Sequence, residues 1–164
     1  MPEIRAERSA LIPAPPAIVY GLIADYREGH PTILPPRYFQ NLTVEAGGVG
    51  AGTRIGFQMR AFGKVNQVRG HVTEPEPGRR LRETYPDSGT ETDFTVEPVA
   101  GTRTCRVTIA TRYTKAGLGG WFERLLVPGF LRKVYVAELR LLAEQAGARA
   151  RGAASFSPAS PRRI

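Results

Sequence analysis

The chain has 164 residues, 41% hydrophobic and 23% charged, with a formal net charge of +8. That is enough chain for one domain with a real core, and the composition excludes both a disordered chain and a membrane-spanning one. One cysteine, Cys105, excludes an intrachain disulfide and fits a reducing compartment, the cytoplasm.

Segment 3–12 alternates, with Ile4, Ala6, Ala10 and Ile12 on one side and Glu3, Arg5, Glu7 and Ser9 on the other, which predicts a half-buried strand. Pro13 to Pro16 ends it, and Val19, Leu22, Ile23 and Tyr26 then follow helical spacing, for a short helix over about 15–25. Arg27 to Pro36 reads as a loop or a short second helix.

From residue 38 the text reads as strands and turns. Strands are expected at 38–45, 53–62, 65–74, 79–85, 90–97 and 103–114. A glycine-rich link, Gly47 to Gly52, joins the first two, and Gly63-Lys64 signals a tight hairpin. The turns at 75–78, 86–89 and 98–101 each carry proline and glycine.

A long helix follows from about Leu118. Its apolar stripe is Trp121, Phe122, Leu125 and Leu126, then Phe130, Leu131, Val134, Ala137, Leu141 and Leu142, with a kink expected at Pro128-Gly129. The domain should span 1–147. The remainder, 148–164, is rich in Ala, Arg, Gly, Ser and Pro and reads as a disordered basic tail.

Successive hairpins imply an antiparallel meander whose apolar face must be covered, and only the last helix is long enough to cover it. The fold expected is α+β: a curved seven-stranded antiparallel sheet wrapped around a long C-terminal helix. An apolar ligand cavity should lie between them, with short helices between strands 1 and 2.

Strand parity singles out two ionisable residues. Glu83 shares the inward side with Leu81 and Tyr85, and Arg8 shares it with Ala6 and Ala10. A carboxylate or guanidinium facing an apolar cavity is costly unless paired or hydrated. Both are therefore expected to contact the ligand or each other, the alternative being a bulge or a rim position where the head reaches water. Glu83, Arg8, Tyr85 and His30 are the catalytic candidates if chemistry occurs. Tyr26, Phe57, Met59, Glu83, Tyr85, Phe94, Tyr113, Trp121 and Leu125 are the expected ligand contacts. His30 should lie in a loop near the cavity mouth, where a solvent-exposed histidine is the more ordinary reading. His71 falls on the outward side.

Two histidines and one cysteine without paired spacing give no metal site. The glycines at 47–52 do not spell the dinucleotide fingerprint and lead into a strand rather than a helix. No nucleophile elbow or phosphate loop is present, and no cofactor is called for. Four arginines lie in the tail without any acid, so the body holds 19 basic against 15 acidic residues, a net of +4. These alternate along strands and helix faces, which argues against a nucleic-acid footprint.

Several phrases resemble the START/Bet v 1-like superfamily, also called SRPBCC, whose members have the helix-grip fold. They are Ile12 to Tyr20 after the first strand, Gly50-Ala51-Gly52-Thr53-Arg54 before the third, Glu74 to Leu81 at a middle turn, and the proline-interrupted helix ending in Leu139 to Glu144. Within the superfamily the chain is most similar to the polyketide cyclase/dehydrase-like branch. The resemblance implies a cavity for a lipid, isoprenoid or polyketide-like molecule. Three functions follow: a hydrophobic-ligand binder; a cyclase, dehydratase or hydrolase using acid–base residues in that cavity; or a membrane-surface or protein-interaction module using the basic tail. Neither ligand identity nor oligomeric state is readable from the residues.

Overall fold

The alternating first segment forms strand β1 (Ile4–Ile12), and its prolines start helix α1 (Pro16–Ala24), with a proline in the first turn where no backbone N–H is needed. A one-turn helix, α2 (His30–Ile33), follows. The strands are β2 (Phe39–Ala46), β3 (Arg54–Ala61), β4 (Lys64–Glu76), β5 (Arg80–Tyr85), β6 (Thr90–Pro98) and β7 (Cys105–Tyr113), and the last element is helix α3 (Gly120–Ser155). The computed structural model describes residues 3–113 and 120–156, with side chains in the second stretch described from residue 127.

All seven strands form one antiparallel sheet in the order β1-β7-β6-β5-β4-β3-β2. Register shifts between Gln40 and Thr43, Val44 and Ala46, and Thr73 and Glu76 interrupt the ladders of β2 with β3 and of β4 with β5. The last of these carries Pro75, so β4 runs through the proline that was expected to end it. The β3–β4 turn is Phe62-Gly63, one residue earlier than expected, both at positive φ (50° and 72°).

Alternation holds along the middle of the sheet. Leu81, Glu83 and Tyr85 are buried on β5, Phe94 and Val96 on β6, and Cys105, Val107, Ile109 and Thr111 on β7. The backbone of α3 comes close to β1, α1 and α2. Over β3 to β6 it stands further off, and space remains between helix and sheet.

Two expectations fail. Arg8 has the inward parity but its side chain is exposed. β1 is the sheet's edge, and a long guanidinium there can reach water past the edge instead of burying its charge. The final helix does not end with the expected domain at 147 but continues through Arg149 and Arg151 to Ser155. Alanine and arginine favour helix, and the extension is anchored where Ala146 is buried and Ala150 packs on the core. Pro128 lies inside α3.

Candidate functional site

A cavity of about 560 Å³ lies between sheet and helix. Its walls are mostly apolar: Phe39 and Leu42 from β2, Ile55, Phe57 and Met59 from β3, Phe94 from β6, and Leu131 and Val134 from α3. Polar groups enter from Glu83, Tyr85, His30, Thr92, Thr111, Tyr135 and Glu138. No lysine or arginine lines the cavity among the described residues.

Glu83 is the centre of the polar end. It is only 4% exposed, and two tyrosines secure its carboxylate. The Tyr26 hydroxyl donates to Oε1 at 2.6 Å and the Tyr85 hydroxyl to Oε2 at 2.5 Å. Hydrogen bonds from neutral donors offset part of the desolvation that a buried carboxylate suffers. Burial, and then the negative charge of Glu83, hold both phenols well above their ordinary titration range, so both stay donors.

The sheet makes room for this arrangement at Gly70. That residue faces Tyr85 across the β4–β5 pair, and a Cβ there would lie 2.7 Å from two carbons of the Tyr85 ring. A second close approach seats His30. A Cβ on Gly29 would lie 2.7 Å from the Leu22 carbonyl oxygen, so the turn presses tightly onto α1. The His30 ring then stacks on Tyr26 at 4.4 Å and meets Phe94 edge-on at 5.6 Å.

His30 is 2% exposed, not the solvent-facing loop residue that is the commoner case. Its Nδ1 lies 2.7 Å from the Ile23 carbonyl oxygen and its Nε2 lies 3.7 Å from Glu83 Oε1. Burial lowers the imidazole below its ordinary value, and the opposing pull of Glu83 does not reverse this. The ring is therefore neutral at pH 7 rather than half of an ion pair. A neutral ring bonded to a carbonyl must carry its proton on Nδ1, which leaves a lone pair on Nε2 beside Glu83.

Across the cavity, α3 contributes Tyr135 and Glu138. The Tyr135 hydroxyl bonds to Thr111, whose hydroxyl lies 2.7 Å from that of Thr92. Glu138 is 2% exposed, and its Oε1 has no hydrogen-bond partner among the described residues. Burial, then the charge of Glu83, raises its carboxyl well above the ordinary carboxylate range.

A family model described as polyketide cyclase / dehydrase and lipid transport matches residues 3–147. The chain belongs to this family. It is similar in structure to KanY protein, at 28% identity and a TM-score of 0.76 over 90% of this chain and 99% of that one. It is also similar to TTHA0849 from Thermus thermophilus, at 27% identity and a TM-score of 0.70 over 91% of this chain and 99% of that one. The Zhui aromatase/cyclase from Streptomyces sp. R1128 shares the fold, with a TM-score of 0.74 at 17% identity over 93% of this chain and 98% of that one. No curated protein matches.

Of the residues expected at the family's cavity, Phe57, Met59, Glu83, Tyr85, Phe94 and Tyr113 line it, as does His30. Tyr26 sits behind Glu83 as its hydrogen-bond donor. Arg8 takes no part. The side chains of Trp121 and Leu125 lie outside the described residues. Glu138, Tyr135, Thr92 and Gly70 were not anticipated. Glu138 had a readable signal: it falls four residues after Val134 and four before Leu142, an acid on the apolar stripe of the helix.

Proposed function

We propose that this protein binds a hydrophobic small molecule, of the lipid, isoprenoid or polyketide-like kind, between the sheet and α3. The observation that carries this reading is the cavity itself. About 560 Å³ of apolar-walled space ending in a few fixed polar groups is the size and composition of a small-molecule site. A chain optimised for stability alone would fill such a space, since each buried void forfeits packing. The family's description, which includes lipid transport, agrees with it.

The test is a titration with Nile red, a neutral apolar dye. Saturable, blue-shifted fluorescence at one site per chain is expected. Phe57→Trp, which places a larger ring in the wall, should weaken it while circular dichroism stays unchanged. Absence of saturable binding by the intact protein would refute the reading.

A second reading is favoured by the neutral His30 Nε2 lying beside the Glu83 carboxylate. A base and an acid–base carboxyl facing an apolar substrate could support a cyclase or dehydratase. Under it, Glu83, Tyr85 and His30 touch the substrate. Glu83→Gln should then abolish turnover while retaining Nile red binding, and turnover unaffected by that change would remove Glu83 from the mechanism.

A further inference from the structure

The polar end of the cavity is unbalanced in its hydrogen bonding. Three groups that can accept line it: the Glu83 carboxylate from β5 and the Nε2 lone pair of His30 from α2, 3.7 Å apart, and across the cavity the carboxyl of Glu138 from α3. The nearby tyrosine and threonine hydroxyls are already engaged, and the Glu138 carboxyl adds at most one donor when protonated. Tyr26 and Tyr85 donate to Glu83, and Tyr135, Thr111 and Thr92 bond to one another. No lysine or arginine lines the cavity among the described residues, so no described cation offsets the carboxyl groups. Glu138 in particular is buried in the cavity wall with Oε1 unpartnered among the described residues. Buried carboxyls without a cation are disfavoured, and their natural complement is a donor that carries positive charge.

We propose that the ligand of this cavity is an apolar amine, cationic when bound, with its nitrogen seated between Glu83, His30 and Glu138. This rests on the ligand-binding reading and narrows it. An ammonium supplies several N–H donors, enough for all three of these groups. The same geometry disfavours a fatty acid or any other anionic ligand, whose charge would be set against Glu83.

Amine binding also has a proton cost. Burial holds the Glu138 carboxyl well above its ordinary range, and an adjacent cation favours its ionised form. The proton released goes to solvent, so affinity for an amine should rise with pH while the amine stays protonated. Among the described residues, Glu83, Tyr26, Tyr85 and Tyr135 interact electrostatically with Glu138, and His30 and Tyr113 line the same cavity. Over the same range the buried phenols of Tyr26, Tyr85 and Tyr135 stay protonated, and burial holds His30 below its ordinary value.

The experiment is displacement of Nile red from the full chain by three probes with one apolar body: naphthylethylamine, naphthylethanol and naphthylacetate. The amine should displace about tenfold more tightly than the alcohol, the scale of one charge-assisted hydrogen bond. The carboxylate should be weakest, and raising the pH from about 6 to about 8 should strengthen only the amine. Glu138→Gln should lower the ratio of amine to alcohol affinity and flatten its pH dependence. Alcohol binding as tight as the amine, or carboxylate binding tighter than either, overturns the inference and leaves the cavity reading intact. Failure of Nile red itself to bind overturns both.

Discussion

Gly70→Ala tests how the polar end is built. The added methyl would lie 2.7 Å from two ring carbons of Tyr85 and 3.1 Å from the Thr84 carbonyl oxygen. Carbon atoms pack at about 3.5–4.0 Å, so the ring must retreat by roughly 1 Å. Its hydroxyl then leaves Glu83 Oε2, now 2.5 Å away. Overpacking a well-filled site costs about 1–3 kcal/mol. Losing a hydrogen bond to a charged group costs about 1.5–3 kcal/mol. Alanine in place of glycine within a strand returns about 0.5–1 kcal/mol. The net expectation is a loss of about 1.5–5.5 kcal/mol. Urea unfolding of the single variants and the double variant isolates the cause. In a Tyr85→Ala background the ring clash and the hydrogen bond are both gone and only the 3.1 Å approach to the Thr84 carbonyl remains, so Gly70→Ala should cost far less. An equal cost in both backgrounds would refute the assignment of Gly70 as the clearance for Tyr85.

Glu138→Gln keeps the side chain's volume and removes its titration. A carboxyl whose folded pKa lies above its unfolded value binds its proton more tightly in the folded chain, so stability falls as pH rises from the ordinary carboxylate range toward the folded value. The stabilising effect of Glu138→Gln in thermal melts should therefore be larger at about pH 8 than at about pH 5; a gain that is constant or reversed would contradict the assignment. On the far face of the sheet, Arg82 grips Asp93 through two bonds of 2.7 and 2.9 Å. Burial opposes ionisation of Asp93, but Arg82, Arg112 and Arg80 outweigh it and hold its carboxyl below the ordinary 3.8. Asp93→Asn should cost about 1 kcal/mol at neutral pH, and the cost should vanish as pH falls through the folded value. A loss that persists in acid would point to packing instead.

The sheet was legible because its strands carry a strict alternation between proline and glycine turns. Leu81, Glu83 and Tyr85 point inward as that period requires, and the position of Glu83 follows directly. The period failed at Arg8, because parity gives a direction and takes no account of a strand's place in the sheet. At an edge, a long side chain escapes the face it is assigned to. His30 was hidden for a different reason. Nothing in its sequence neighbourhood announces that Gly29 lets the turn press onto α1 and carry the ring inside. Glu138 was visible in principle, since the stripe passes through it, but its meaning depends on the cavity and on Glu83 across it. The extended helix was missed because alanine and arginine read equally as tail or as helix until Ala146 and Ala150 find the core.

The measurement that bears most directly on the central claim is an amide chemical-shift titration of the full chain with Nile red. Ligand binding between sheet and helix predicts saturable shifts concentrated on Phe57, Thr92, Phe94, Leu131 and Val134, whose side chains line the cavity. Residues of the outward face, such as Arg69, His71 and Arg106, should not move. Shifts confined to that outward face, or no saturable shifts at all, would contradict the account.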